Sequence, residues 1–256
     1  MWRATRDAVR VFAEVFQPPG PVLEIGSYLH LGLDHFSNVR PFFEDRSYVG
    51  CDIRRGPGVD VLSDAERMAF DEGTFGTVLA LEVLEHLRQP SVAVNEMRRV
   101  LDEGGLLVVS TPFNFRLHAF PTDFWRFTAS GIDALLAPFP SRCVFQLGPA
   151  VNPSFVFAVA AKQSSHWFDD RAAEFQVEIE RVFSSRSSRL KGHTSVAKTL
   201  TRDLLGWMLG RARVSVQFFD HGQSGGYVSE LPYSDARTVS GGSEEAAVLA
   251  TLPRRP

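Results

Sequence analysis

Residues 21–27, with the sequence P-V-L-E-I-G-S, place a short apolar run directly before an acid and a glycine. The run predicts a buried β-strand. The glycine predicts a turn whose backbone can approach a ligand closely, because glycine has no side chain and tolerates φ values that other residues avoid. A second apolar run, residues 48–52, ends in a carboxylate that could accept hydrogen bonds from both hydroxyls of a ribose. These two strand ends predict a site for an adenosine-containing cofactor.

Apolar strand-like runs alternate with helix-like segments along the chain. Seven runs predict strands, at residues 21–25, 47–51, 59–62, 77–81, 106–110, 143–147 and 155–161. Strands that are apolar throughout and separated by helices favour a parallel sheet covered on both sides. We therefore predict a doubly wound α/β fold with a mostly parallel, seven-stranded sheet. Ligands of such folds bind at the carboxyl ends of the strands.

Composition excludes several classes of protein. The formal net charge of -3 gives no general attraction to nucleic acid or to anionic lipid, so no nucleic-acid partner is predicted. Cys51 and Cys143 are too few for a disulfide framework and predict buried thiols in a cytoplasmic protein. The seven histidines show no metal-ligand spacing, so no metal site is predicted.

The two ends of the chain differ in character. Residues 1–16 carry charges throughout, which is unlike a signal peptide, and their apolar spacing predicts an amphipathic helix that caps the sheet. No apolar run is long enough for a membrane span. Beyond Lys162, residues 168–183 and 196–208 predict two amphipathic helices separated by a serine-rich break, followed by a strand-like stretch at residues 214–219.

This pattern predicts a domain at residues 1–163 and a helical extension with a flexible tail at residues 164–256. The helices of the extension could pack on the domain, cover an acceptor pocket or form a homodimer.

Five consecutive segments together resemble one family. They are V-L-E-I-G-S (22–27), Y-V-G-C-D-I (48–53), V-D-V-L-S-D-A (59–65), L-E-V-L-E-H-L (81–87) and R-R-V-L-D-E-G-G-L-L-V-V-S-T-P (98–112). In this order they resemble the class I S-adenosylmethionine-dependent methyltransferases of the small, single-domain type. The resemblance implies a Rossmann-like methyltransferase fold and S-adenosylmethionine as the cofactor.

The resemblance also implies roles for individual residues. Glu24 and Gly26 would border the methionine part of the cofactor, and Asp52 would bind the ribose. Gly104 and Gly105 would form a turn into the fifth strand. The full set implied to bind the cofactor is Glu24, Gly26, Ser27, Asp52, Ile53, Asp64, Ala65, Leu81 and Glu82. Asp52 could instead cap a helix, and Asp64 could lie in water.

The chain departs from the family pattern in the first loop. Tyr28 and His30 stand where most relatives have further glycines, and Gly32 follows late. Bulky side chains would narrow the loop, so we expect a different loop path or a lower cofactor affinity. Gly76 replaces an acid that the family usually has before the fourth strand.

Three residues are candidates for acid–base chemistry, His86, His118 and Asp123. Each histidine follows a strand near whose end the acceptor would enter, and histidine suits proton transfer near neutral pH. Asp123 could orient an imidazole or act alone. Packing roles remain open for all three. Arg126, in the aromatic segment 124–128, could hold a carboxylate or a phosphate.

The sequence therefore predicts methyl transfer to a small-molecule or glycan-like acceptor, at oxygen. One alternative is a nicotinamide-dependent reductase or epimerase on a dinucleotide fold. Against it, no glycine fingerprint follows Ile25, and no tyrosine is followed four residues later by lysine. A non-catalytic, methyltransferase-like binding module is the other alternative, suggested by the altered loop.

Overall fold

The computed structural model describes residues 3–30, 37–119, 121–148, 153–191 and 213–218. The helices are α1 (Arg3–Phe16), α2 (Pro90–Val100), α3 (Ala129–Leu135) and α4 (His166–Lys191), with short 3-10 helices at Arg40–Phe43 and Leu84–His86. The strands are β1 (Val22–Ile25), β2 (Tyr48–Asp52), β3 (Val61–Leu62), β4 (Phe75–Leu81), β5 (Leu101–Pro112), β6 (Ser141–Gly148), β7 (Phe155–Ala161) and β8 (Arg213–Phe218). Within these residues, no helix combines the length and apolar character that crossing a membrane requires.

The described strands form one sheet in the order β3-β2-β1-β4-β5-β7-β6-β8. Neighbours from β3 to β5 pair in parallel, and β7 is antiparallel to both β5 and β6. The predicted doubly wound, mostly parallel sheet is confirmed. The strand-like stretch predicted at residues 214–219 adds the eighth strand, which pairs with β6.

Successive strand residues point to opposite faces of the sheet, and each face is covered by helices. On one face, Phe12 and Phe16 of α1 pack with Phe168 and Phe175 of α4. The other face packs against α2 and α3, which contribute residues such as Met97 to a second core. The amphipathic helix predicted at the start of the chain is thus confirmed, and α4 packs on the sheet beside it.

Local sequence signals fix several element boundaries. Pro90 begins α2, where its missing N–H costs nothing, and the Thr128 hydroxyl caps α3 by accepting from the Gly131 N–H at 3.0 Å. Phe75 of β4 pairs with Leu101 of β5, and Thr77, two residues later, pairs with Leu106, five residues later. Residues 102–105 of β5 therefore form a bulge.

Three sequence predictions need correction. The serine-rich segment 184–188 does not break the helix, because α4 continues to Lys191. Gly104 and Gly105 lie within the bulge of β5 and do not precede the strand, since β5 begins directly after α2. Strand β3 covers only two residues of the predicted 59–62. The predicted helix at residues 196–208 and the tail regions 222–226 and 240–256 lie outside the described residues.

Both cysteines are buried and free. Burial raises the pKa of the Cys51 thiol to about 12 and raises that of Cys143 further. At neutral pH both side chains are therefore protonated, which agrees with the prediction of buried structural thiols.

Candidate active site

The ends of β1, β2 and β4 lie side by side and bring the first predicted residues together. Ile25 pairs with Cys51 on one side and with Ala80 on the other. The backbone N–H of Gly26 then donates to the Cys51 carbonyl at 2.8 Å. Gly26 has a φ of +75°, and a Cβ atom there would lie 2.5 Å from Val83 Cγ2. Only glycine fits this turn without strain.

Glu24 lies on β1, two residues before Gly26, and is buried. The Tyr48 hydroxyl donates to its Oε2 at 2.9 Å. Burial raises the pKa of Glu24 from 4.5 to about 7, although Tyr48 and Arg40 both favour the ionised form. A cationic group brought next to this carboxyl would lower its pKa and favour the ionised form.

The altered first loop packs on the segment after β2. The Arg54 guanidinium lies 4.5 Å from the centre of the Tyr28 ring, and His30 contacts the other part of that ring, edge to face, at 5.2 Å between centroids. A Cβ atom on Gly56 would lie 2.3 Å from the Tyr28 ring. The bulky side chain predicted to narrow the loop is thus accommodated by a glycine opposite it. Ser27, next to it, is buried.

Asp52 ends β2 and is 6% exposed. Its carboxylate accepts hydrogen bonds from the Arg54 backbone N–H at 2.9 Å and from the Arg54 guanidinium at 3.1 and 3.3 Å. The neighbouring Ile53 side chain is 73% exposed, which is unusual for isoleucine. The end of β2 thus presents a buried carboxylate beside an uncovered apolar residue.

The remaining predicted cofactor residues differ in exposure. Ala65 and Leu81 are buried, whereas Asp64 is exposed and accepts a hydrogen bond from the Glu66 N–H at 2.9 Å. Glu82 has a φ of +58°, a backbone conformation that costs energy outside glycine. Its Oε1 accepts from the Thr5 hydroxyl at 2.8 Å, so α1 reaches the site directly.

Several of the predicted cofactor residues thus lie together at the neighbouring ends of β1 and β2. The backbone of Gly26 leaves room for close approach, the Asp52 carboxylate stands at the adjoining strand end, and the Ile53 side chain is uncovered. Asp64 and Ile53 are exposed members of this set.

A second cluster lies after β4 and β5. His86, in the 3-10 helix after β4, contacts His118 of the loop after β5 edge to face, with 4.8 Å between ring centroids. His86 Nδ1 lies 2.8 Å from the Thr122 carbonyl oxygen and therefore donates to it. Burial lowers the pKa of His86, which favours the neutral ring.

Asp123 holds this loop in place. Its carboxylate accepts from Arg126 at 2.5 and 2.8 Å and from the His118 backbone N–H at 2.9 Å. His118 Nδ1 lies 3.1 Å from Asp123 Oδ2, although the pair is not aligned as a hydrogen bond. The Arg126 guanidinium holds the pKa of Asp123 well below its usual range. Asp123 therefore stays ionised and is a poor proton acceptor.

Arg126 is committed to Asp123 and to the Trp125 carbonyl, which accepts at 2.7 Å. The interpretation of Arg126 as a holder of a substrate carboxylate or phosphate is therefore not supported by its contacts. The Trp125 indole N–H donates to the Leu87 carbonyl at 2.8 Å and fixes the ring over the 3-10 helix. Phe127 packs against the core, as predicted.

This loop lines a cavity of about 310 Å³. Its lining residues are Phe113, Asn114, Phe115, Leu117, Asp123, Phe124, Trp125 and Arg126. Leu117 is 81% exposed and Trp125 is 43% exposed, so the wall offers uncovered apolar surface. Such a mixed cavity suits a small molecule with a flat or apolar part.

Sequence reasoning missed four contributors. Glu85 lies within the L-E-V-L-E-H-L segment but was assigned no role, and its fully buried carboxyl has a pKa raised to about 8 by burial. The other three act through side-chain contacts: Arg54 with Asp52, Tyr48 with Glu24, and Thr5 with Glu82. The adjacent glutamate and histidine at residues 85 and 86 could have pointed to Glu85, whereas no sequence pattern pointed to the other three residues.

The strand order and the helices on both faces of the sheet define a Rossmann-like α/β protein. A family model described as a methyltransferase domain matches residues 1–142, which is more than half of the chain. The chain belongs to this family of S-adenosylmethionine-dependent methyltransferases, with S-adenosylmethionine as the cofactor.

Two solved structures are similar to part of this chain. The 1,6-didemethyltoxoflavin-N1-methyltransferase of Burkholderia thailandensis is 18% identical, with a TM-score of 0.50 over 63% of this chain and 79% of that chain. A SAM-dependent methyltransferase from Thermotoga maritima is 18% identical, with a TM-score of 0.45 over 64% of this chain and 100% of that chain. A search of curated proteins found no match.

Proposed function

We propose that this protein transfers a methyl group from S-adenosylmethionine to a hydroxyl group of a small-molecule or glycan-like acceptor. The observation that carries the proposal is the contact between His86 and His118, which lies beyond the ends of β4 and β5 and beside the aromatic cavity. A hydroxyl must lose its proton during methylation, and a neutral imidazole can accept it near pH 7.

Cofactor binding is assigned to the residues at the ends of β1, β2 and β4. Asp52 accepts hydrogen bonds from the ribose, Ile53 covers the adenine, and Glu24 lies near the amino group. Gly26 and Ser27 border the methionine part, with Leu81 and Glu82 on the side that faces the acceptor. Asp64 and Ala65 contact the adenine edge. Asp64 is exposed, so the bound adenine would cover its side chain.

In the transfer step, His118 accepts the acceptor's proton while Asp123 orients it. Asp123 is suited to orienting because Arg126 and the His118 N–H keep it ionised, and the ionised carboxylate lies 3.1 Å from the ring. When bound, S-adenosylmethionine would supply an electrophilic sulfonium methyl group whose leaving group is a neutral thioether. The protein's remaining task is alignment and exclusion of water.

The cofactor assignment is tested by Asp52→Ala in calorimetry with S-adenosylhomocysteine. We expect loss of measurable binding with an unchanged circular dichroism spectrum, while Asp45→Ala, at an exposed acid, binds normally. Unchanged affinity in Asp52→Ala would reject the assignment.

The acceptor assignment is tested with isotopically labelled S-adenosylmethionine and matched hydroxyl and amine compounds bearing flat apolar groups. We expect label on the hydroxyl compounds, and we expect His118→Ala to lose turnover while retaining cofactor affinity. Label on amines alone would overturn the choice of oxygen. Failure to label any acceptor, with intact cofactor binding, would favour a binding module.

A further inference from the structure

Three potential ligand groups converge between β4 and the loop after β5. Glu85 and His86 come from the 3-10 helix Leu84–His86, and His118 comes from the loop. One ligand atom of each residue lies within 4.8 Å of the others. The loop is tied to the 3-10 helix because the Phe124 N–H donates to the Glu85 carbonyl at 2.8 Å. The three groups are therefore held together by the fold and do not meet by chance on a mobile surface.

The carboxylate of Glu85 is the unusual member of this cluster. The residue is 0% exposed, and neither Oε1 nor Oε2 accepts a well-formed hydrogen bond from the described residues. Arg126, the cation on the neighbouring loop, is bound to Asp123. Burying a carboxyl whose oxygens accept no well-formed hydrogen bond is costly, even with the Thr111 hydroxyl and the residue's own N–H nearby, so its retention calls for a ligand that satisfies it.

His86 is oriented as metal-binding imidazoles usually are, and the Asp123 carboxylate lies close to His118 without being aligned for a hydrogen bond. His86 donates its Nδ1 proton to the Thr122 carbonyl at 2.8 Å, which leaves the lone pair on Nε2, 3.9 Å from Glu85 Oε1. His118 has the Asp123 carboxylate 3.1 Å from Nδ1. A carbonyl or carboxylate behind a histidine is the common outer contact of a metal-binding imidazole, since it fixes the tautomer and raises the basicity of the other nitrogen.

We propose that Glu85, His86 and His118 form a binding site for one divalent first-row transition-metal ion. Two imidazoles and one carboxylate suit Zn²⁺, Co²⁺ or Fe²⁺, whereas Mg²⁺ prefers oxygen ligands. Metal–nitrogen bonds of about 2.1 Å place two ligands of a tetrahedral site about 3.4 Å apart, so the side chains must close by roughly 1 Å on binding. The three protein ligands would leave the fourth position open.

The binding itself is independent of the proposed function, but its consequence for turnover rests on that function. An acceptor oxygen at the open position would have its pKa lowered by the ion and would need no imidazole base. The ion and the proton would compete for the same imidazole lone pair.

Metal binding is measured without turnover, so that failure of methyl transfer and failure of the metal site can be distinguished.

The test is titration of the chelator-treated full chain with Co²⁺, followed by visible absorption, with Zn²⁺ and Mg²⁺ as competitors. We expect one Co²⁺ per chain, intense visible bands typical of four- or five-coordinate cobalt, displacement by Zn²⁺ and none by Mg²⁺. Glu85→Gln and His118→Gln should each weaken Co²⁺ binding more than about a hundredfold, beyond the roughly 10–100-fold that loss of an outer contact costs. Both keep the size and polarity of the side chain, and circular dichroism reports whether they fold.

The matched control is His166→Ala, since the His166 side chain is fully exposed and distant in sequence from the cluster. We expect it to bind Co²⁺ like the parent chain. Absence of bands at millimolar Co²⁺, or equal binding by folded Glu85→Gln and His118→Gln, would overturn the proposal. Loss of the bands in His166→Ala alone would overturn it as well, because the ion would then lie elsewhere.

Discussion

The guanidinium of Arg54 lies on the carboxylate of Asp52, with Nε 3.1 Å from Oδ1 and one terminal nitrogen 3.3 Å from Oδ2. The two oxygens that a ribose would use are therefore already engaged. Arg54 is also held over the Tyr28 ring, so the altered first loop and the ribose-binding acid are linked through one side chain.

Replacing Arg54 with alanine should therefore strengthen cofactor binding. The guanidinium is about half exposed, so its pairing with Asp52 is worth at most about 1 kcal/mol, which corresponds to a Kd lowered up to about fivefold. Calorimetry with S-adenosylhomocysteine measures the change. Arg55→Ala, at the exposed neighbour, should leave the Kd unchanged. A weaker or unaltered Kd in Arg54→Ala would show that the pair does not compete with the cofactor.

Glu24 should make stability depend on pH. Burial raises the pKa of its carboxyl from 4.5 to about 7, so the native state keeps the proton to a higher pH than the unfolded state. Its contribution is complete below about pH 4.5 and is lost as the pH rises through about 7. Between these values the free energy of unfolding should fall by about 3 kcal/mol relative to Glu24→Gln.

Urea denaturation of both proteins at pH 4.5, 6 and 7.5 measures this difference. Glu44→Gln, at an exposed glutamate, should follow the parent chain at each pH. Parallel stability curves for the parent and Glu24→Gln would mean that Glu24 does not take up its proton in this range.

Gly26→Ala should destabilise the fold and weaken the cofactor site together. The added Cβ would occupy an unfavourable φ of +75° and would lie 2.5 Å from Val83 Cγ2, for a cost of about 1–3 kcal/mol. Gly104→Ala is the matched control, because its Cβ would meet only a side-chain oxygen, at 3.9 Å. Thermal unfolding should separate the two variants, and equal melting temperatures would refute the predicted strain.

Asp123→Asn should lower turnover without changing cofactor affinity. The amide retains the shape of the carboxylate but cannot accept at both ends from Arg126 and the His118 N–H, so the loop and the imidazole lose their position. We expect kcat to fall about 10–100-fold. Asp133→Asn breaks a comparable pair with Arg142 on α3 and β6, so it should lower stability alone. Similar kcat values for the two variants would contradict the orienting role.

The parts of this protein that were predictable depend on neighbouring residues in the chain. The mostly apolar runs of β1, β4 and β7 indicated buried strands, and each of these strands is buried over its whole length. Gly26 was identifiable because a glycine directly after a buried strand is typical of a tight turn that approaches a ligand. The serine-rich segment 184–188 misled because serine lowers helix propensity only slightly, and α4 continues through it.

The sheet, its covering helices and the residues at the strand ends could be predicted because hydrophobic periodicity and glycine turns act locally. The pairing of Arg54 with Asp52, beside the Tyr28 ring, and the contact of Thr5 with Glu82 became visible only in the folded chain. The tertiary structure also brought Glu85 and His86 to within 4.8 Å of His118, which is more than thirty residues away in the chain. Such contacts depend on how loops from different strands fold back over one edge of the sheet. The spacing of residues along the chain does not predict these contacts.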